Sequence, residues 1–238
     1  MLVALLFWMT AAHIGCATPA PPIPDSLGSS DSSEKIPNVY DPWELMNRHV
    51  YRFNANFDKY VFLPVIRGYR FVLPQVVRTG ISNVFSNIGE ATIIVNSILQ
   101  LSPIKTANSI TRLMINSTFG IAGIFDVATL CKLPGENEDF GQTLGFYGVG
   151  PGPFLVLPIL GPSSVRDTSG LVVDTAMTSV PMMIWVPSSA SPYITGASTL
   201  RAIQARDDLS FRYGELGPFE YNLIRALYLE NRVLQIDR

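Results

Sequence analysis

From residue 43 onward the apolar positions Trp43, Met46, Val50, Phe53, Phe57 and Tyr60 recur at alternating spacings of three and four. That spacing predicts a helix with a single apolar stripe. Asp41-Pro42-Trp43-Glu44 ahead of it offers an N-cap acid, a proline at the first helical position and an early glutamate, three agreeing start signals. The other faces carry Asn47, Arg48, Arg52, Asn54 and Asp58, polar but sparsely charged. Pro64 and Pro74 bracket a short helix containing Arg67 and Arg70. A helix at 76–88 groups Val77, Ile81, Val84, Phe85 and Ile88, and 90–101 reads as a separate, very apolar helix around Asn96. Ser102-Pro103 repeats the cap-then-proline start, and the helix behind it sets Ile104, Ala107, Ile110, Met114, Ile115 and Phe119 on one side. Arg112 and Asn116 are four apart there and share a face.

Helical periodicity then stops. Seven glycines and four prolines fall within 141–170, a density that precludes one regular helix and predicts turns and short extended pieces. Gly145, Gly148, Gly150 and Gly152 are spaced too tightly for neighbouring side chains to explain them, so their role is expected in the backbone, either only making a tight turn or shaping or gating a passage walled by Phe146, Tyr147, Phe154 and Leu157. Ser163 and Ser164 can cap a further helix through Arg166, Asp167 and Asp174. An apolar piece at 180–187 is too short to span a bilayer, and two helices at 199–207 and 218–235 close the chain, the last grouping Tyr221, Ile224, Arg225, Tyr228 and Leu229. The fold class is mainly α.

Composition changes this picture in one respect. The 238 residues carry 17 Lys plus Arg against 19 Asp plus Glu, and only 15% are charged while 47% are hydrophobic. Ordinary soluble domains carry about 25% charge. Amphipathic helices with so few charges either lie in the plane of a membrane or enclose a well-filled globular core, and composition alone leaves both open. Near-neutral charge without basic runs excludes a nucleic-acid partner.

The first fifteen residues are uncharged and run through Leu2-Val3-Ala4-Leu5-Leu6-Phe7-Trp8-Met9, the length of a signal peptide and not of a spanning helix. Gly15-Cys16-Ala17 follows and resembles the lipobox of bacterial lipoproteins, in which Cys16 would be acylated after cleavage; an ordinary secretory signal with an incidental cysteine is the alternative. Ala17, where Asp would signal retention, resembles the pattern sent on to the outer membrane. Residues 16–39 form the acylated cysteine and a tether rich in Pro, Ser and Asp, and 40–238 a single helical domain. The other thiol, Cys131, has no partner for a disulfide in such a chain and is expected to be buried as a small apolar group.

Enzymatic arrangements are not found. Removal of the leader leaves His49 as the mature histidine, expected as a surface or packing residue, and no G-x-S-x-G, H-E-x-x-H or C-x-x-C occurs. In Gly148-Val149-Gly150-Pro151-Gly152 the third glycine is misplaced for a dinucleotide loop, and Pro151 removes an amide. Glu136, Glu138 and Asp139 lack the spacing of a calcium loop and read as a solvated turn. No cofactor, metal or catalytic group is expected.

The motifs taken together decide more. Asp41-Pro42-Trp43-Glu44, Asn47-Arg48, Phe53-Asn54, Pro64-Val65, Arg78-x-Gly80-x-Ser82-Asn83, Phe125-Asp126-Val127-Ala128, Phe140-Gly141-Gln142-Thr143-Leu144-Gly145, Tyr147-Gly148-Val149-Gly150, Gly152-Pro153-Phe154, Gly161-Pro162-Ser163 and Arg166-Asp167 resemble the MlaA (VacJ) family of outer-membrane lipoproteins. The resemblance implies a ring-like assembly of interfacial helices in the inner leaflet of the outer membrane, with a central amphipathic channel. It implies removal of phospholipid strayed into the outer leaflet, transfer to a periplasmic carrier, and trimeric porins as partners. Candidates for the headgroup path are polar residues on otherwise apolar elements: Asn47, Arg48, Asn54, Asn96, Arg112, Asn116, Arg166, Asp167 and Arg225. A structural hydrogen bond or ion pair is the competing role for each. A structural lipoprotein that scaffolds porins is the competing function.

Overall fold

Helix α1 (Glu44–Phe57) has Trp43 at its N-cap and no side-chain cap, so it starts later than Asp41 and Pro42 suggest. Asp41 is spent on tertiary structure instead, accepting from Asn47 Nδ2 at 2.8 Å, from the Tyr221 hydroxyl at 2.5 Å and from Arg225 at 3.1 Å. A π-helical turn (Asp58–Phe62) carries the chain without a break into α2 (Leu63–Val72), which takes Pro64 in its first turn. Leu73 turns extended before Pro74, as the proline ring demands of its predecessor.

Next comes α3 (Gln75–Leu99), a single helix of 25 residues where the sequence suggested two. Gly89 at the expected break has open space where a Cβ would sit, and nothing there obliges the chain to turn. α4 (Pro103–Thr118) packs along α3 in the most extensive helix pair of the fold. The short α5 (Val127–Leu130) and α6 (Phe140–Phe146) are capped by the side chains of Asp126 and Asp139, which accept from Thr129 N at 3.0 Å and Gln142 N at 2.8 Å.

β1 (Phe154–Leu157) and β2 (Gly161–Ser164) form a two-stranded antiparallel hairpin, with Phe154 opposite Ser164 and Leu157 opposite Gly161. α7 (Val165–Trp185) is capped as expected, Ser164 Oγ accepting from Asp167 N at 3.1 Å. α8 (Ser191–Asp208) and α9 (Glu220–Ile236) complete the chain. The computed structural model describes residues 40–185, 191–209, 211–214 and 219–237. The leader, Cys16 and the tether lie outside these residues, as do the side chains of the apolar piece at 180–187. No described helix is long and apolar enough to cross a membrane.

Burial runs opposite to that of a soluble globule. Among the described residues five apolar side chains are buried, Ile66, Ala128, Phe154, Val156 and Tyr221, against twenty-one polar or charged ones. Trp43, Met46, Phe53 and Tyr60 of the α1 stripe are exposed, while Asn47 and Asn54 of the opposite face are buried. Large apolar side chains also stand outside on α2, α3, α4 and α9, with Phe71 92% and Ile104 83% exposed. Such an apolar exterior far exceeds the scattered exposure normal for soluble proteins. The small apolar core that exists is Phe154, Val156 and Tyr221, with Val50, Tyr51 and Tyr228 packed against it. Cys131, expected inside, is exposed at the turn that ends α5.

Candidate functional site

The inward-facing polar residues divide into those consumed by the fold and those that border open space. Asn47 and Asn54 belong to the first group. Asn47 donates to Phe154 O at 3.0 Å and accepts from Val156 N at 2.9 Å; Asn54 donates to Leu157 O at 2.9 Å and accepts from Ile159 N at 2.7 Å. Seven helical residues rise about 10.5 Å, which matches three strand residues at about 3.3 Å each. The two side-chain amides therefore serve the outer edge of β1 as a neighbouring strand would. Arg48 donates to Glu44 at 2.7 Å and Asn222 at 3.0 Å and lies 4.3 Å from the Tyr221 ring centre. Arg225 pairs with Asp41 just ahead of α1 at 3.1 Å and with Glu44 at 3.5 Å, so both arginines clamp α9 to α1.

Asn96 receives the Thr143 hydroxyl at 3.0 Å and donates to Asp174 at 2.9 Å, joining α3, α6 and α7. Asp167 is the centre of a denser cluster. It accepts from Arg166 at 2.9 Å, Tyr228 at 2.7 Å and Arg232 at 2.8 Å, and Arg232 reaches Asp139 at 2.7 Å. Burial pushes the Asp167 carboxyl up, but the hydrogen bonds from Arg232 and Tyr228 outweigh it and hold the group at about 2. Asp139 is likewise held below the usual carboxylate range by Arg232 against the opposing effect of burial.

Two of the three carboxylates in the turn read as solvated are structural. Glu138 is buried and pairs with Lys105 at 2.6 Å, and Asp139 caps α6. Glu136 faces a cavity. No group of His, Cys, Asp and Glu that could hold a metal occurs among the described residues. His49, expected either at the surface or in packing, is exposed, with Nδ1 2.6 Å from Leu45 O.

Of the glycines singled out, Gly145 is needed for packing, since a Cβ there would lie 2.5 Å from Ile236 Cδ1. Gly148 has φ +84° and Gly152 φ +68°, whereas Gly150 has neither a close neighbour nor a left-handed backbone. The segment is also less irregular than its glycines suggest. α6 and α7 cross at Gly141 and Gly170, where a Cβ on Gly170 would come 2.7 Å from Gly141 Cα.

Open space is found between α3, α4, α8 and the connection that leads from α4 to α6. A polar cavity of about 450 Å³ is bordered there by Asn87 and Glu90, by Arg112 and Asn116, by Asp126 and Glu136, and by Arg201, Gln204 and Asp208. Arg112 and Asn116 are the sequence candidates that reach it. Arg112 is held by Glu90 at 2.8 Å, by Asp126 at 3.2 Å and by Leu133 O at 2.6 Å, while Asn116 donates to Asp126 at 3.1 Å. Burial lowers and these carboxylates raise the Arg112 guanidinium, with a net rise.

Along the other side of α3 runs an apolar groove of about 770 Å³, walled by Val76, Val77, Ile81, Val84, Phe125 and Leu200. Asn83 and Phe85 border both spaces. A polar compartment and an apolar one thus meet across a single helical turn, the division that a phospholipid has within itself. Sequence reading missed Glu90, Glu136, Arg201 and Asp208 because isolated charges on weakly periodic segments look solvated. The signal present was their scarcity in so apolar a chain.

The family model described as MlaA lipoprotein matches residues 39–235. The chain belongs to the MlaA lipoprotein family. The Escherichia coli K12 protein named intermembrane phospholipid transport system lipoprotein MlaA is 35% identical over 86% of this chain and 81% of its own length. An uncharacterised Rickettsia prowazekii protein is 38% identical over 68% of this chain, which spans 64% of that relative's length. A solved structure, described as the structural basis for maintenance of bacterial outer membrane lipid asymmetry, superposes on this MlaA family chain with a TM-score of 0.69. It is 33% identical and covers 82% of this chain and 98% of its own.

Proposed function

We propose that this chain is an outer-membrane lipoprotein, anchored through Cys16 and the tether, that removes phospholipid from the outer leaflet and passes it to a soluble periplasmic carrier. The observation that carries this reading is the polar cavity meeting an apolar groove across Asn83 and Phe85. A headgroup moves along the first while acyl tails follow the second, so neither part of the lipid enters the wrong medium. The apolar exterior fits helices sunk in the acyl region of one leaflet, which requires no spanning element. A ring of such helices around an amphipathic channel is the corresponding architecture, with trimeric porins and the periplasmic carrier as partners. Movement of a stray lipid down its gradient needs no nucleotide.

Arg112 and Asn116 are the sequence candidates placed on the path in this reading; Asn47, Arg48, Asn54, Asn96, Arg166, Asp167 and Arg225 hold its frame. Gly145, Gly148 and Gly152 act on the path indirectly, by fixing the loop after α6, and Gly150 carries no such constraint.

The test is Ala205→Trp, which fills the polar cavity from α8 at a position that is exposed in the fold. In a strain lacking the native gene, this variant at normal abundance is expected to leave phospholipid in the outer leaflet, as an empty vector does. Restoration of asymmetry by Ala205→Trp overturns the channel reading and supports a porin scaffold.

A further inference from the structure

The charges around the polar cavity do not balance one another. Arg112 is taken up by Glu90 and Asp126. Glu136, Asp208 and Arg201 make no ion pair with one another or with any other of the described residues. Glu136 accepts only from the Asn108 amide at 3.1 Å; Asp208 accepts from Ser82 at 2.9 Å and Gln204 at 2.8 Å. Two wall residues that are more than nine-tenths buried keep an acceptor without a donor, Asn87 Oδ1 and Glu90 Oε2. A buried acceptor left unmade is expensive, and such groups mark places where something else supplies the bond.

Resting on the phospholipid-transfer reading, we propose that this cavity seats a zwitterionic phosphoethanolamine headgroup. Arg201 takes the phosphate, and Glu136, Asp208 and the free oxygens of Glu90 and Asn87 take the ammonium. A primary ammonium brings three N–H donors, which matches a wall rich in unfilled acceptors. The guanidinium of Arg201 matches phosphate oxygens in charge and in fork geometry. Choline has no N–H to give and is held by aromatic faces, of which Phe85 is the only one at this wall among the described residues. Phosphatidylglycerol brings an anion without a cation to a wall where four carboxylates oppose two guanidiniums.

The test uses the full acylated protein in detergent, titrated with dihexanoyl phosphatidylethanolamine, phosphatidylcholine and phosphatidylglycerol, and with glycerophosphoethanolamine as the same headgroup without tails. The ethanolamine lipid is expected to bind about tenfold tighter than the other two lipids, and glycerophosphoethanolamine far more weakly than its lipid. Arg201→Gln is expected to weaken the ethanolamine and choline lipids alike by about tenfold, and Glu136→Gln with Asp208→Asn to erase the difference between them. Both variants should melt like the native protein. Equal binding of the ethanolamine and choline lipids, or an Arg201→Gln variant of unchanged affinity, overturns the proposal while leaving lipid transfer standing. No binding of any lipid overturns transfer itself. Tail-free headgroup binding as tight as the lipid reassigns the cavity to a soluble phosphoamine.

Discussion

Where α6, α7 and α9 meet, Arg232 is gripped by Asp139 at 2.7 Å and Asp167 at 2.8 Å, and Asp167 also receives Tyr228 and Arg166. At the cavity between α3, α4 and α8, Arg201, Glu136 and Asp208 border the space with no ionic partner among the described residues. Both regions gather charge in a chain that has little of it. The first arrangement is closed: each ion is paired, Arg232 of α9 reaches carboxylates at α6 and α7, and the effect is to fasten these helices. The second is left open, and a ligand has something to bind. Burial alone does not separate fold from function in this protein, since polar interiors occur in both; saturation of the polar groups does.

The comparison is broken most directly by removing one cation from each region. Arg232→Met leaves two carboxylates facing each other with Arg166 as the remaining counter-ion, and removal of one partner from a buried pair costs about 3–5 kcal/mol. Arg201→Met removes no ion pair from the fold and is expected within about 0.5 kcal/mol of native. Denaturant unfolding of the detergent-solubilised chain measures both. Equal losses would mean that Arg201 is a fastener like Arg232, and the distinction between closed and open charge would fail.

Acid sharpens the same contrast at about half that magnitude. The Asp167 carboxyl stands at about 2 in the fold against an ordinary 3.8. Because the folded value is the lower one, the ionised carboxylate stabilises the protein above pH 4, and this contribution fades as pH falls from about 4 to 2. The shift corresponds to about 2 kcal/mol. Unfolding midpoints recorded across that window should fall in the native protein and fall less in Asp167→Asn. A parallel decline in both would place the acid sensitivity elsewhere.

The sequence made helix content, the α4 and α7 starts and the α1 periodicity legible, because spacing and capping are local properties. It left open which side of each helix faces inward. The stripe of Trp43, Met46 and Phe53 points outward in the structure, since a helical period reads the same whether its apolar face meets a core or a lipid phase. The start signal at Asp41 misleads for a related reason: a carboxylate that suits an N-cap is drawn to Tyr221 and Arg225, 180 and 184 residues away. Asn47 and Asn54 could be singled out by their spacing, but their bonds to β1 depend on a hairpin more than a hundred residues on. The cavity charges were hidden most completely, because they come from α3, α4, α8 and the connection between α4 and α6, and only the fold assembles them.

The smallest expected effect concerns the loop after α6, where glycines of identical appearance in the sequence differ in the structure. Gly148 has φ +84° with nothing near a would-be Cβ, so its constraint is conformational; Gly150 has the same free space without the left-handed backbone. A side chain in the left-handed region costs about 1–2 kcal/mol, so Gly148→Ala is expected to lose about that much. Gly150→Ala should be neutral or slightly stabilising, because alanine restricts the unfolded chain and meets no obstacle in the folded one. The loop is tied down before it by Gly145 against Ile236 and by the Tyr147 hydroxyl donating to Leu99 O at 2.7 Å, and at its far end by Arg166 N and Val165 N donating to Pro151 O and Pro153 O at 3.2 Å, which favours a fixed frame over a moving gate. Melting curves of the two alanine variants, read beside outer-leaflet phospholipid in cells that express them at native abundance, separate these roles. If Gly148→Ala loses stability but keeps lipid asymmetry, the glycine serves the fold, like the closed charges around Asp167. Loss of asymmetry at native stability would instead place this loop with the open cavity, as a part that lipid has to move past.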